Sequence, residues 1–448
     1  MVNLLDILDR CKKGGKVSEA EFDLLLAKEA MRLKNEYRIE YESDIIIPTE
    51  SELFEDVLNA AISLLCSIGF WCYDTSTIVK VREEEIHEAM KRAPSRIAIG
   101  EGNEKKWYLS RKLNDYRKPL ICGGPCGGSL SKEYYFNIMS SYAKENVDLI
   151  VNGKLHVPST KGTQAEIEAV RQEVILSRKA IAHVGKPGMC IIGPMSGITS
   201  KSLNSAIFPN GMRKNDIHIA TLLNELKINF DLLDRLSHLQ RINAISKVVQ
   251  CPILGYVGGP EETAIVSTAE ILLDFVLGGL CAGFSPTSLK FSVSTDRRSL
   301  WVSSVVLSSI KRKYEVLIES WIWAGSGPCT NTIGYEIAAQ TIANTVSGVD
   351  MIGSAGCVRA AQIDYYTGME ARIAIEVCEQ ARRLSVEKAN AILKELLKFY
   401  EDDLAEGRMS RGKSFIACYS LKDLTPSKEY LEVWENTKNN LKDIGLEL

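Results

Sequence analysis

The chain has 448 residues, 45% of them hydrophobic, which is enough for a large buried core. Its formal net charge of −3 shows no basic excess, and this disfavours a nucleic-acid-binding protein. Twelve cysteines lack the spacing of a disulfide framework, so we expect reduced thiols in a cytoplasmic protein. Met1 to Asp6 lack the features of a signal peptide. Glu270 and Asp274 interrupt the most apolar segment, so no membrane span is expected.

Residues 1–115 are predicted to form an N-terminal helical extension. Ser18 with Glu21, and Thr49 with Glu52, have the spacing of capping boxes, which mark the beginning of a helix. An apolar stripe follows the second pair, as in a helix with one buried face.

Between residues 116 and 365, short apolar runs alternate with helical patterns, which is typical of βα units. The clearest unit is a helix over 163–184 that leads into the strand Met189–Ile192 and a Gly-Pro turn. Leu289–Val293 competes with the sixth of eight candidate strands. These strands are Pro119–Cys122, Asp148–Val151, Met189–Ile192, Lys227–Phe230, Pro252–Gly255, Leu280–Phe284, Leu317–Trp323 and Val349–Ile352.

Eight such units predict an α/β fold, a TIM (β/α)8 barrel that forms the catalytic core over residues 116–365. Residues 366–448 are predicted to be C-terminal helices packed on the barrel. Glycine-rich loops follow several of the strands, at the end where barrels of this kind have their active-site mouth. Ile192 stands at that end of its strand.

Trp321 and Trp323 lie two apart on a predicted strand and should therefore point to the same face. Such a pair is either ordinary core packing, which these residues alone favour, or an aromatic wall that holds a methylated ammonium by cation–π attraction. A group of thiols and one imidazole could also gather at the mouth, but it lacks the tight ligand spacing of a zinc site, so no metal is expected. The group comprises Cys122, Cys126, Cys190, His218 and Cys329.

Taken together, the motifs resemble the monomethylamine:corrinoid methyltransferases of methylotrophic methanogens over nearly the whole chain. The matching segments include Ile47-Pro48-Thr49, Gly123-Gly124-Pro125, Val151-Asn152-Gly153, Gly188-Met189, Gly193-Pro194, Asn224-Glu225-Leu226-Lys227, Gly258-Gly259, Gly327-Pro328-Cys329-Thr330 and Thr367-Gly368-Met369-Glu370. The resemblance implies a TIM-barrel enzyme of the cytoplasm and a homo-oligomer, typically a hexamer. It also implies methyl transfer from an amine to the cobalt of a separate corrinoid protein, with no tightly bound cofactor of the enzyme's own.

The chain departs from that family at the substrate site. Ile192 stands where members carry pyrrolysine, whose ring forms an adduct with the amine. Ile219 and Val249 stand where two glutamates are expected, and Trp321 stands where a glutamine is expected. We therefore predict an apolar substrate site lined by Ile219, Val249, Trp321 and Trp323, with Ile192 at the catalytic position.

The leading hypothesis is a pyrrolysine-independent methyltransferase that moves a methyl group from a quaternary amine, or a similar weakly polar donor, to Co(I) of a corrinoid protein. The alternative is a non-catalytic paralogue that binds a corrinoid protein and whose pocket is filled by Ile192 and Trp321. An unrelated barrel activity that uses the cysteines is a third option. A cavity of about 300 Å3 or more at the strand ends would favour an enzyme.

Overall fold

The structure is a computed structural model that describes residues 4–157 and 161–448. Residues 1–3, where the predicted extension starts, and residues 158–160 lie outside the described part. Within the described residues, eight parallel strands close into a barrel with helices around it, which confirms the predicted TIM fold. The strands are β1 Leu120–Gly123, β2 Leu149–Val151, β3 Cys190–Gly193, β4 Ile217–Thr221, β5 Ile245–Gln250, β6 Cys281–Phe284, β7 Ile318–Trp323 and β8 Met351–Gly356.

Two of the eight predicted strands were wrong. Lys227–Phe230 was expected to be the fourth strand, but β4 lies earlier, and residues 227–228 pair instead with Trp71–Cys72 outside the barrel. Pro252–Gly255 was expected to be the fifth, but β5 precedes it, and Ile253–Leu254 pairs with a short outer strand. Each true strand carries a polar residue, His218 or Lys247, that interrupts the apolar run by which buried parallel strands are recognised.

Helices surround the barrel and form most of both end regions. They are α1 Leu4–Lys13, α2 Glu19–Glu36, α3 Ser51–Ser67, α4 Glu83–Arg92, α5 Tyr135–Lys144, α6 Gln164–His183, α7 Ser200–Asn204, α8 Phe230–Arg241, α9 Pro260–Val276, α10 Arg297–Lys311, α11 Ile333–Val346, α12 Gly368–Ala381, α13 Val386–Leu397, α14 Glu401–Ala405, α15 Phe415–Cys418 and α16 Lys428–Asp443. The prediction of a wholly helical N-terminal extension was wrong, because Phe70–Cys72 pairs with Thr77–Val79 and Arg96–Ile99 pairs with Lys106–Leu109. In the N-terminal region α3 packs on α9 and α10, and in the C-terminal region α12 packs on α5 and α11. None of the helices in 4–157 and 161–448 is both long and apolar enough to cross a bilayer.

The ends of the helices explain part of the sequence pattern. Ser18 and Glu21 form the predicted capping box of α2. The pair Thr49 and Glu52 does not cap α3, because that helix begins at Ser51 and the carboxylate of Glu50 accepts a hydrogen bond from the Thr49 N–H. The helix α6 begins at Gln164, within one residue of the prediction.

The loop after β1 depends on a glycine. Gly124 has φ of +120°, in the left-handed region, and a Cβ there would collide with the carbonyl oxygen of Val151 at the end of β2. Only glycine tolerates both the dihedral angle and the close approach. The loop can therefore turn tightly over the strand end and bring Cys126 and Gly127 to the mouth of the barrel.

We expect Gly124→Ala to lower the free energy of unfolding by at least about 3 kcal/mol, because it combines backbone strain with a collision. Gly185→Ala is the matched control, since Gly185 has φ of +78° but a Cβ added there would meet no atom within 4 Å. The control should lose only about 1–2 kcal/mol, the cost of the left-handed conformation. Urea unfolding followed by circular dichroism measures both, and equal losses would contradict the collision.

Candidate active site

A cavity of about 500 Å3 opens at the C-terminal ends of the barrel strands. Its walls come from β2, β4, β5, β7 and β8 and from the loops after β1 and β3. The apolar part of the lining includes Val151, Met195, Leu203, Ile219, Leu222, Val249, Trp321 and Trp323, and the polar part includes Thr221, Asn224, Lys247, Gln250, Glu319 and Ser354. The position and volume are those of a small-molecule site in a barrel enzyme.

Four of the five residues predicted at the site line this cavity: Ile219, Val249, Trp321 and Trp323. The rings of Trp321 and Trp323 lie on the same wall, as their spacing predicted, with centroids 6.4 Å apart and planes inclined by 57°. Ile192 is not among the lining residues. It is fully buried at the end of β3, in a core cluster with Ile219 against which Val249 also packs.

Two charged groups of the cavity were not predicted from the sequence. Lys247 on β5 and Glu319 on β7 point into the barrel from either side of β6, and the ammonium of Lys247 donates a hydrogen bond to Oε2 of Glu319. Their side chains are only 2% and 4% exposed. Burial opposes the charge on Lys247, but the attraction and hydrogen bond of Glu319 outweigh it and raise its pKa above the usual value. The predicted apolar substrate site is therefore not wholly apolar, because this ion pair also lines it.

Glycines on the neighbouring strands pack closely against this ion pair and Trp321. A Cβ on Gly283 of β6 would lie 3.4 Å from Cδ of Lys247 and 3.2 Å from Cζ3 of Trp321. A Cβ on Gly353 of β8 would lie 2.9 Å from Oε1 of Glu319. A Cβ on Gly353 would also lie 2.6 Å from Cα and Cβ of Trp321, so a larger residue at either position would crowd this wall of the cavity.

Buried carboxylates on the outer helices hold the loops of the mouth. Glu173 on α6 accepts hydrogen bonds from the N–H groups of Met195 and Ser196, both at 2.6 Å. Glu336 on α11 accepts from the N–H groups of Gly325 and Ser326, at 2.7 and 2.9 Å. Burial raises the pKa of Glu173 to about 7, against the effect of these donors.

The thiols do not gather in one place. Of the predicted group, Cys126 lines the cavity, Cys122 and Cys190 are buried in the barrel core, and Cys329 lies in a different core cluster. Cys251, which was not in the group, also lines the cavity. Burial raises the pKa of Cys126 to about 12, so it is a neutral thiol near pH 7. Within the part of the chain that the structure describes, no group of three or more His, Cys, Asp or Glu side chains is placed to hold a metal ion.

His218 is a buried residue of β4, and its Nε2 lies 2.8 Å from the carbonyl oxygen of Arg213. Burial, assisted by the charge of Arg235, lowers the pKa of His218 to about 3, so the imidazole is neutral near pH 7. His218 is a structural residue of the barrel wall rather than a proton carrier at the mouth.

Comparison with known proteins agrees with this geometry. A family model described as monomethylamine methyltransferase MtmB matches residues 2–446. The chain belongs to the MtmB family. Monomethylamine methyltransferase MtmB of Methanosarcina mazei is 31% identical over 98% of this chain and 97% of its own length, and MtmB1 of Methanosarcina barkeri is also 31% identical over the same shares.

Two solved structures extend the likeness to three dimensions. The crystal structure of the Methanosarcina barkeri MtmB enzyme superposes with a TM-score of 0.97 and covers 99% of this chain and 98% of that chain, at 31% identity. The structure of a hydroxylamine complex of MtmB superposes with a TM-score of 0.96. The chain thus shares the barrel of this methyltransferase family over nearly the whole length of its relatives.

We expect the loss of one charge of this ion pair to destabilise the protein more than the loss of both charges. Lys247→Met leaves the carboxylate of Glu319 buried and unpaired, which should lower the free energy of unfolding by about 3–5 kcal/mol. The double variant Lys247→Met/Glu319→Leu removes both charges and should lose less than about 1 kcal/mol. Urea unfolding of both proteins tests this, and a double variant as unstable as the single one would show that the charges themselves stabilise the barrel.

Proposed function

We propose that this MtmB-family protein is a pyrrolysine-independent methyltransferase that moves a methyl group from a quaternary ammonium donor to Co(I) of a corrinoid protein. The observation that carries the proposal is the cavity of about 500 Å3 with Trp321 and Trp323 on one wall. A quaternary ammonium has no N–H group that needs a hydrogen-bond acceptor, and aromatic faces attract it by cation–π interaction.

The same lining disfavours a primary amine. A methylammonium ion loses its hydration on entry and needs acceptors for its N–H groups. The carboxylate of Glu319 is already paired with Lys247. Ile219 and Val249 offer no acceptor, and Ile192 cannot form the adduct that pyrrolysine forms in the family the chain resembles.

The protein's part in the reaction is to hold and orient the donor. The cobalt of the partner's corrinoid supplies the nucleophile in this family, so the polypeptide needs no nucleophile of its own. The tryptophan wall fixes the ammonium, and the loops held by Glu173 and Glu336 give the mouth a defined shape against which the corrinoid protein can dock. A donor kept in one orientation gains rate by proximity.

The paralogue hypothesis required a mouth plugged by side chains. Ile192 lies in the core beside the cavity, and Trp321 lines the cavity with 8% of its surface exposed. The cavity volume of about 500 Å3 exceeds the roughly 300 Å3 at which small-molecule sites begin, and this favours an enzyme. These features support an enzyme over a non-catalytic corrinoid-binding paralogue.

The direct test is methyl transfer by the purified protein to a reduced corrinoid protein, followed by the cobalt absorption spectrum. We expect transfer from quaternary ammonium donors and at most trace transfer from monomethylamine at equal concentration. An MtmB enzyme with pyrrolysine is the matched control for the assay. Robust demethylation of monomethylamine by the present protein would overturn the proposal.

We expect Trp321→Ala to weaken binding of a quaternary ammonium donor by about tenfold, because a cation–π contact in a desolvated site contributes about 0.5–2 kcal/mol. Trp321→Phe keeps an aromatic face and should retain most of the affinity. Trp107→Ala is the control outside the cavity, since Trp107 is 52% exposed on an outer hairpin. Isothermal titration calorimetry measures all three, and unchanged affinity in Trp321→Ala would count against the aromatic wall.

A further inference from the structure

The buried ion pair is the feature of the cavity that the proposed function leaves unexplained. A quaternary cation needs aromatic faces and low polarity, and neither requires Lys247. Two desolvated charges in a barrel interior are costly, and apolar residues of similar volume would serve stability as well or better. The pair nevertheless lines the cavity, and glycines stand at the two flanking positions, Gly283 and Gly353, where a side chain would crowd it.

The pair distinguishes between ligands by their charge. A simple cation that approaches Glu319 is repelled by the ammonium of Lys247 a few ångströms away, and a simple anion is repelled by Glu319 in the same way. A molecule with both charges can lie antiparallel to the pair. Its anionic end then meets Lys247 and its cationic end meets Glu319, and both attractions act in a medium of low dielectric constant.

The N–H donors of Lys247 favour an anionic group on the ligand. An ammonium has three N–H donors, and among the bonds of the described residues one of them goes to Oε2 of Glu319. A carboxylate on the ligand can accept from the remaining donors in a charge-assisted bond, which is stronger than a neutral one. A hydroxyl or an amide on the ligand gains less.

We propose that Lys247 and Glu319 select a zwitterionic donor, in which a carboxylate and an N-methylated quaternary ammonium are joined by a short spacer. This inference rests on the proposed function and names the substrate class for it. The carboxylate lies toward Lys247 and the ammonium toward Glu319, next to the faces of Trp321 and Trp323. Lys247 and Glu319 set specificity through binding, and neither one reacts.

The orientation that follows suits methyl transfer. Lys247 precedes Val249 by two residues on β5, and Glu319 precedes Trp321 by two residues on β7, so the charges lie one layer deeper in the barrel than the aromatic wall. A ligand paired with both charges lies at this depth, and those methyl groups of its nitrogen that face away from the ion pair point toward the open end. That is the side from which a corrinoid protein would approach the donor.

The test compares three ligands of nearly equal shape on the unmodified protein by isothermal titration calorimetry. Glycine betaine is the zwitterion, choline is the cation, and 3,3-dimethylbutanoate is the anion in which carbon replaces the nitrogen of betaine. We expect glycine betaine to bind at least about tenfold more tightly than either of the others, since it alone pairs with both charges.

The variant Lys247→Met/Glu319→Leu, which removes both charges, should abolish this preference and bind choline at least as well as glycine betaine. Thermal unfolding of the same sample shows whether the variant is folded. If the double variant does not fold, the three ligands on the unmodified protein still decide the question.

The outcomes separate the two proposals. Choline binding as tight as that of glycine betaine to the unmodified protein, or a preference that survives in the folded double variant, would overturn the zwitterion inference and leave a quaternary ammonium site in place. If neither choline nor glycine betaine binds and neither donates a methyl group to a reduced corrinoid protein, the proposed function and the inference that rests on it both fail. Tight binding of 3,3-dimethylbutanoate alone would show an anion site and would also overturn the inference.

Discussion

The contact on which the site depends is the buried ion pair between Lys247 and Glu319. A lone charge at this depth would be removed by a shift in its pKa or would unfold the barrel, so each of these residues requires the other. The pair makes the floor of the cavity polar while adding no net charge. Because Lys247 and Glu319 both line the cavity, this polarity belongs to the cavity and not only to the core.

The mouth above the pair is shaped by a second set of buried carboxylates, which act on backbone rather than on ligand. Glu173 and Glu336 extend from helices on the outside of the barrel and accept the N–H groups of loops that follow β3 and β7. Such loops have no sheet partners for these donors, and an unsatisfied buried N–H would be costly. The helices therefore fix the loops, and the loops place the residues of the cavity wall.

The barrel could be predicted from the sequence because six of its strands contain short apolar runs that stand out from the helical patterns around them. The other two could not, because a buried strand that carries Lys247 or His218 resembles the edge of a loop by composition alone. The same error explains why the charged residues of the cavity were not predicted. With the fifth strand predicted at Pro252–Gly255, Lys247 lay outside any strand. Glu319 lay within a correctly predicted strand, and a charge in so apolar a run is the signal by which the floor could have been found.

The position of Ile192 bears on why the proposed function depends on the whole cavity and not on one residue. Ile192 lies near the end of β3 in the core beside Ile219 and Val249, and its side chain contributes packing where a reactive group would be needed to capture an amine. A protein that cannot capture its donor covalently must hold it by shape and charge. Under the proposed function, the aromatic wall provides the shape and the paired charges provide the polarity. The features that would exclude a primary amine are then the same ones that would suit a permanently charged donor.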